Sequence, residues 1–272
     1  CFKEKELKET SDGSSAMNEA RVLENLFQQS IIFKDMNEKF KFDRSELFQS
    51  WTETLIKNYN NFVDNPKDNP NIAIVDFKNE GTISEFKEFQ KTFNKNGYKT
   101  IICDPQELDY DGDKLFYKDM ALDIVYRRAT TARIIEEAED VKDLIQAYLD
   151  ENICLVGGFV SQIPHNKVIF SVLHDQNKVS FLKDEEIKFI KNHIPFTTKL
   201  TQDSPDLLEK VISNKNQYIL KPFDDYACHG VYAGKDLSQK KWENLIDQVG
   251  LKEYIVQEFA EVPSRMMPTI DM

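Results

Sequence analysis

The sequence predicts an α/β chain with a separate α+β part. In the middle of the chain, short apolar strand patterns alternate with helical patterns, an order typical of a mostly parallel sheet covered on both faces. Residues 179–272 change to the order strand, loop, strand, helix, strand, which is typical of an α+β subdomain. The 272 residues, 40% of them hydrophobic and 11% aromatic, suffice for two domains or one large one, with a substantial core.

Residues 1–66 are predicted to be an N-terminal helical segment. A helical pattern covers residues 16–29. In residues 43–62 apolar side chains recur at intervals of three and four, which predicts an amphipathic helix: Leu47, Trp51, Leu55, Tyr59 and Phe62. The stretch 65–70, rich in proline and asparagine, predicts a loop and a domain boundary.

Residues 67–178 are predicted to be a Rossmann-like α/β subdomain. Ser84 is expected to cap the first helix of this part, and Gly97 is expected to end it. Strands are predicted over residues 72–76, 98–103, 122–126 and 153–156. Helices are predicted over residues 84–96, 131–148 and 166–173. The cluster 109–113 resembles a calcium loop but lacks the closing glutamate, so it predicts a solvated turn between strands.

Residues 179–272 are predicted to form the α+β part. Helices are expected over residues 184–192, 205–214 and 238–249. Extended segments are expected over residues 195–201, 218–221, 231–233 and 253–259.

Charge and cysteine content narrow the functional classes. The 35 basic against 47 acidic residues give a net charge of −12, which argues against a general nucleic-acid binder. Apolar runs are too short for a bilayer span, and no signal peptide pattern is present. The four cysteines contain no C-x-x-C, so a zinc ribbon or thioredoxin-type site has no support. A soluble protein of the reducing cytoplasm, without membrane or nucleic-acid partners, is expected.

The segment 218–231 carries the strongest chemical signal. The chain contains no P-loop, no G-x-G-x-x-G, no H-E-x-x-H and no G-x-S-x-G pattern. Lys221 ends an apolar strand just before a loop, an arrangement that suits a polyphosphate, with the ammonium as a point charge and the loop as a nest. A solvent-exposed lysine beside an ordinary hairpin is the competing interpretation.

The same segment resembles the lysine and flexible loop of ATP-grasp enzymes, and its flanks resemble the circularly permuted branch that includes glutathionylspermidine synthase. Four other segments agree, in the family's order. Residues 9–19 resemble the E-x-N-x-D segment, 122–128 the strand ending in Y-[RK]-R, 165–175 the N-K helix and 254–259 the hinge strand. The resemblance implies a circularly permuted ATP-grasp fold with a Rossmann-like parallel-sheet subdomain and an α+β nucleotide-binding subdomain.

The resemblance also implies roles for individual residues. Lys167 and Lys221 would contact the nucleotide phosphates, and the loop containing Gly230 would close over them. The adenine hinge and ribose contacts would come from Gln257, Glu258, Phe259 and Glu261. Arg127 and Arg128 would bind a carboxylate or acyl-phosphate, with a structural ion pair as the alternative for each.

The implied reaction is ATP-dependent joining of a carboxylate to an amine through an acyl-phosphate, with ATP and Mg²⁺ as cofactors and a small metabolite or peptide as substrate. Two segments depart from the family. Ala227 and Cys228 stand where two glycines are usual, and Lys8-Glu9-Thr10 aligns with the magnesium-binding E-x-N. Asp12 keeps its position, and Glu9 would substitute as a metal ligand if the register slips by one.

These departures keep two other functions open. One is a degenerate ATP-grasp module that binds a nucleotide or partner without turnover, and the other is a regulatory or structural α/β protein that binds no ATP. The family's upstream and downstream strands are missing, which indicates either a fragment or a chain whose disordered parts lie outside this sequence. The substrates and the oligomeric state cannot be read from the sequence.

Overall fold

The computed structural model describes residues 12–42, 46–78, 80–201, 204–225, 228–249 and 253–261. These residues form two compact units, residues 12–161 and residues 162–261, here called the N-terminal and C-terminal units. The sequence predicted boundaries after residues 66 and 178. The N-terminal helices lie in the same compact unit as the parallel sheet, and the helix over residues 47–62 packs against one face of that sheet.

The N-terminal unit is built around a four-stranded parallel sheet. Its helices are α1 (Met17–Gln29), α2 (Ile31–Asn37), α3 (Leu47–Phe62), α4 (Ile83–Lys95), α5 (Thr131–Glu136) and α6 (Lys142–Leu149). Its strands are β1 (Ile72–Val75), β2 (Thr100–Cys103), β3 (Leu108–Tyr110), β4 (Leu115–Tyr117), β5 (Met120–Ala121), β6 (Ile124–Arg127) and β7 (Cys154–Val156). The parallel strands lie in the order β2-β1-β6-β7.

The strand β1 shows why this sheet is covered on both faces. All four of its side chains are buried, and successive side chains point to opposite faces. Ile72 and Ile74 pack with phenylalanines of α3 and α4, among them Phe89, whereas Ala73 and Val75 pack in a second apolar cluster with residues of α6. Burial of both faces explains the continuous apolar run in the sequence.

The chain between β2 and β6 forms a small antiparallel sheet, in the order β3-β4-β5. Asp111 closes the turn between β3 and β4, since its Oδ1 accepts the backbone N–H groups of Asp113 and Lys114 at 2.9 and 2.8 Å. Residues 111–113 of the cluster are therefore in a turn between strands, as predicted, whereas residues 109 and 110 end β3. The sheet that it belongs to was not predicted.

The C-terminal unit contains a four-stranded antiparallel sheet in the order β10-β9-β11-β8. Its helices are α7 (Gln162–His165), α8 (Val168–His174), α9 (Asp184–His193), α10 (Pro205–Ser213) and α11 (Gln239–Val249). Its strands are β8 (Thr197–Lys199), β9 (Tyr218–Pro222), β10 (Tyr232–Ala233) and β11 (Tyr254–Glu258). One face packs on α10 and α11, where the fully buried Trp242 donates its indole N–H to the carbonyl of Val211 at 3.1 Å.

Most predicted elements are present, and four differ. The helix predicted over 131–148 is divided into α5 and α6. The helix predicted over 166–173 begins only at Val168, as α8, and the short helix α7 lies before the predicted range. The helix α2 was not predicted. Thr82, not Ser84, precedes α4, so Ser84 lies inside the first turn. Within the described residues, every helix is too short or too polar to cross a membrane.

Candidate functional site

Lys221 lies on the face of the C-terminal sheet that is turned away from α10 and α11. Tyr218 and Leu220 of the same strand point into the core under those helices, so the alternation of β9 directs Lys221 to the opposite face. There its Nζ donates to Gln257 Oε1 at 2.7 Å. Ile255 lies directly opposite Lys221 in the register, so Gln257 is its diagonal neighbour on the same face.

Gln257 is itself held by a second partner. Its side chain is 1% exposed, and its Nε2 donates to Thr197 Oγ1 of β8 at 2.9 Å. The Thr197 hydroxyl in turn donates to the carbonyl of Pro195 at 2.8 Å. Gln257 and Thr197 each accept one hydrogen bond and donate another, so the buried network is satisfied. This network fixes the direction of the Lys221 ammonium.

Lys167 approaches the same end of β9 from the break between α7 and α8. Its backbone N–H donates to the carbonyl of Phe223 at 2.8 Å, and its Nζ donates to the carbonyl of Asp225 at 2.9 Å. Lys167 is only 3% exposed. The structure thus brings Lys167 to residues 223–225, directly after the strand that carries Lys221, although the two lysines are 54 positions apart in the sequence.

The loop that follows β9 needs left-handed backbone at two described positions. Cys228 has φ +60° and Gly230 has φ +63°. A Cβ built on Gly230 would lie 2.7 Å from the hydroxyl of Tyr254 at the start of β11. Gly230 is therefore required both by its backbone conformation and by this close approach. Residues 226 and 227, including the Ala227 of the predicted glycine substitution, lie outside the described residues.

Three of the four residues predicted for the adenine and ribose contacts line an open pocket of about 420 Å³ at the end of β11: Glu258, Phe259 and Glu261. The fourth, Gln257, is buried between Lys221 and Thr197 instead. Lys235 also lines the pocket, with its Nζ 4.1 Å from the centre of the Phe259 ring. The backbone N–H groups of Glu258 and Phe259 already donate to carbonyls of Phe196 and Gln217. These two N–H groups are therefore engaged within the protein.

Arg127, in the N-terminal unit, forms a buried ion pair with Asp12. The Nη2–Oδ1 distance is 2.7 Å, and the two side chains are 1% and 2% exposed. The guanidinium also donates to the carbonyls of Gly157, at 2.6 Å, and Ala129. With these partners its donors are satisfied by the protein, which favours the structural ion pair that the sequence left as an alternative.

Asp12 is equally committed to the N-terminal unit. Its Oδ2 accepts the backbone N–H of Thr131 at 2.7 Å, and its Oδ1 accepts the Thr131 hydroxyl at 3.0 Å. Burial alone would raise the pKa of the Asp12 carboxyl, but the Thr131 hydrogen bond and the Arg127 charge outweigh it and lower that pKa. A carboxylate bound in this way does not fit the predicted magnesium site, since the charge of Arg127 already occupies it.

Arg128 also has an internal carboxylate partner. Its Nη2 donates to Glu85 Oε1 at 2.9 Å, and its Nη1 donates to the hydroxyl of Tyr126 at 2.7 Å. Glu85 is fully buried and also accepts the backbone N–H of Asn18 at 3.0 Å. Near this pair, burial raises the pKa of Asp76, at the end of β1, to about 6.

The predicted metal ligands do not form a site in the described part of the chain. Glu9 lies outside it, and Asp12 is paired with Arg127. Within the described ranges, no three His, Cys, Asp or Glu side chains are grouped to hold a metal ion.

Several partners in these networks were missed in the sequence, among them Glu85 and Thr197. The burial of Glu85 could have been predicted from the sequence, because Glu85 precedes Phe89 and Phe93 at intervals of four and so lies on the same buried face of the helix. The role of Thr197 could not have been predicted from the sequence, since its partner Gln257 lies 60 positions away and only the antiparallel pairing of β8 with β11 brings the two together.

Among the comparisons with known proteins, only the one with solved structures found a match. No protein-family model matches the sequence. No curated protein matches it either. The structure of a glutathione synthetase-like effector from Globodera pallida superposes with a TM-score of 0.51 at 12% identity, over 78% of this chain and 45% of that chain. The chain has an ATP-grasp-type mixed α/β fold.

This likeness confirms the mixed α/β fold class that the sequence predicted, whereas the circular permutation stays a prediction. The match extends over less than half of the effector's length. Other structures superpose less well. They include the D-cycloserine synthetase DcsG, with a TM-score of 0.43 at 11% identity over 70% of this chain and 59% of that one. A RimK domain ATP-grasp protein from Sphaerobacter thermophilus has a TM-score of 0.42 at 13% identity, over 72% and 65% of the two chains.

Proposed function

We propose that the C-terminal unit binds the phosphates of ATP and that the chain acts as an ATP-dependent carboxylate–amine ligase. The observation that supports this proposal best is the contact of Lys167 with residues 223–225, which directly follow the strand that carries Lys221. In the proposed reaction a carboxylate oxygen attacks the γ-phosphorus and ADP leaves. An amine then attacks the acyl-phosphate carbonyl, so that an amide forms and phosphate leaves.

The two lysines would contribute by charge and position. Lys221, directed by Gln257, would present its ammonium to phosphate oxygens, and charge-assisted hydrogen bonds of this kind are about twice as strong as neutral ones. Lys167 would act from beneath the loop, since its ammonium already holds the carbonyl of Asp225. We include in the proposal the circularly permuted, glutathionylspermidine synthase-like branch, with a small metabolite or peptide as substrate. The motif order in the sequence supports this branch.

ATP in this class of reaction carries Mg²⁺, which neutralises phosphate charge. The described residues offer no carboxylate cluster for that ion, so the roles proposed here belong to the lysines alone.

The N-terminal arginines favour a second candidate. Because Arg127 and Arg128 are paired with Asp12 and Glu85, they are not open to a substrate carboxylate in this structure. That pairing supports the degenerate module, which would bind a nucleotide without turnover.

Calorimetric titration with ATP, with and without Mg²⁺, tests the binding proposal. Loss of a hydrogen bond from a charged group weakens binding by about 1.5–3 kcal/mol, so Lys221→Ala should lower ATP affinity about 10- to 100-fold. Lys210→Ala, on the exposed side of α10, is the matched control and should bind like the wild type. Equal affinities of wild type and Lys221→Ala would remove the proposed site.

A second assay separates the two candidates. Phosphate release is measured with ATP and a panel of carboxylates and amines. Release that requires both an acid and an amine supports the ligase, whereas tight ATP binding without release across the panel supports the module.

A further inference from the structure

The helix α1 packs on the N-terminal unit with its polar side. Asn18 accepts two hydrogen bonds from Arg21, at 2.7 and 3.3 Å, and the Arg21 guanidinium lies 3.6 Å from Glu88 of α4. The same guanidinium lies over the ring of Phe48 of α3, 5.8 Å from its centre. An amphipathic surface helix normally buries its apolar stripe, so α1 has the reverse orientation.

The apolar side of α1 is consequently exposed and continues onto α2. Leu23 is 67% exposed and Ile31 is 77% exposed. Contacts of the Phe33 ring with Phe27 and Phe42, at 5.3 and 5.4 Å between centres, join the two helices and the following residues into one surface. This surface, here called the hairpin face, consists of Val22, Leu23, Leu26, Phe27, Ile31, Ile32, Phe40 and Phe42.

The hairpin face has the size of a protein interface. Its exposed side chains amount to on the order of 800 Å², which is the area that each partner buries in a standard complex. A typical monomer exposes no apolar patch larger than about 300–600 Å². Each residue of the hairpin face is at least 40% exposed.

Charge indicates which partner the face suits. Residues 17–42 carry four basic and four acidic side chains and therefore no net charge, in a chain with a net charge of −12. A second copy carries the same acid excess, so it meets least repulsion where the surface is neutral. Because both signs are present around the apolar centre, the same surface on a second copy can pair with it across a two-fold axis.

We propose that the hairpin face is the interface of a homodimer of this chain. The proposal is independent of ATP binding, since it involves neither Lys167 nor Lys221. Interfaces of this area have dissociation constants from micromolar to picomolar, so the dimer should be present at ordinary protein concentrations.

Sedimentation equilibrium over a wide concentration range tests the proposal. The wild-type chain should have twice the mass of one chain, and Leu23→Glu should shift it to the monomer mass. Leu149→Glu, at a residue with 65% exposure outside the face, is the matched control and should remain dimeric. Ile31→Lys provides a second substitution in the face, and circular dichroism of each variant reports whether it is folded.

Three outcomes would overturn the proposal: a wild-type monomer at every concentration, a folded Leu23→Glu variant that remains dimeric, or equal dissociation by Leu149→Glu. The hairpin face could alternatively bind a lipid surface, as amphipathic helices do. Cosedimentation of a monomeric wild type with anionic phosphatidylserine vesicles, lost in Leu23→Glu, would assign the face to a membrane instead.

Discussion

Replacement of Asp12 by Asn tests whether this carboxylate stabilises the N-terminal unit or binds a metal. The substitution preserves side-chain size but leaves the Arg127 guanidinium without its buried counter-charge, 2.7 Å from an amide group. Removal of one partner of a buried ion pair costs about 3–5 kcal/mol, because the remaining charge stays desolvated. Since domains are stable by about 5–15 kcal/mol in total, the variant should lose a large part of its unfolding free energy.

Urea denaturation at pH 7 measures this loss as a lower midpoint at an unchanged slope. Asp68→Asn, at an exposed aspartate of the 65–70 loop, is the control and should change the unfolding free energy by less than about 0.5 kcal/mol. The double variant Asp12→Asn with Arg127→Met should recover part of the loss, because it removes the orphaned charge as well.

The pH dependence of the same measurement has a definite sign. The pKa of Asp12 is lower in the folded than in the unfolded chain. Its stabilising contribution is therefore complete above the ordinary aspartate pKa of about 3.9 and is lost as the pH falls through the folded-state value. The difference in unfolding free energy between wild type and Asp12→Asn should shrink below about pH 4.

A loss smaller than about 1 kcal/mol would contradict the reasoning, since it would mean that Arg127 does not depend on this partner. Stabilisation of the wild type by Mg²⁺, absent from Asp12→Asn, would restore Asp12 as the predicted metal ligand.

Three further predictions concern single residues. Because burial raises the pKa of Asp76 to about 6, the folded chain binds the Asp76 proton more tightly than the unfolded chain does. The free energy of unfolding should therefore fall as the pH rises from about 4 to 6. Asp76→Asn should abolish this fall in urea titrations and raise the free energy of unfolding at pH 7 by up to about 3 kcal/mol. Gly230→Ala should lower the thermal midpoint, because the new methyl group meets a tyrosine hydroxyl at 2.7 Å, whereas Cys228→Gly, at φ +60°, should leave the midpoint unchanged or raise it. Burial raises the pKa of Cys103 to about 12 and that of Cys154 to about 11, so iodoacetamide at pH 8 should label the exposed Cys228 before either, as peptide mass mapping would report.

The sequence predicts much of this fold because its signals are local. Runs such as Ile72–Val75 and the helix ending at Gly97 show their structure in the spacing and turn chemistry of neighbouring residues. The sheet β3-β4-β5 was missed because its strands are only two or three residues long, too short for a period to be recognised.

The candidate site is less visible in the sequence for a physical reason. Lys167 and Lys221 were expected at the phosphates from a family resemblance, and Lys167 reaches the segment after β9 through long-range hydrogen bonds to the carbonyls of Phe223 and Asp225. The partners of Arg127 and Arg128 depend on still longer connections, since Asp12 precedes Arg127 by 115 positions. Charge pairs of this kind have no periodicity, so the sequence left ion pairing and substrate binding equally open.

The position of β1 in the parallel sheet has a consequence during synthesis. Its two neighbours do not emerge from the ribosome together: β2 follows after α4, but residues 104–123 must be made before β6 appears. Until then, one edge of β1 exposes its backbone N–H and C=O groups between apolar side chains, which is the form most prone to intermolecular pairing. The nascent chain should thus be most in need of a chaperone in this interval, and substitutions that slow the folding of β3-β4-β5 should lower the yield of native protein more than they lower its stability.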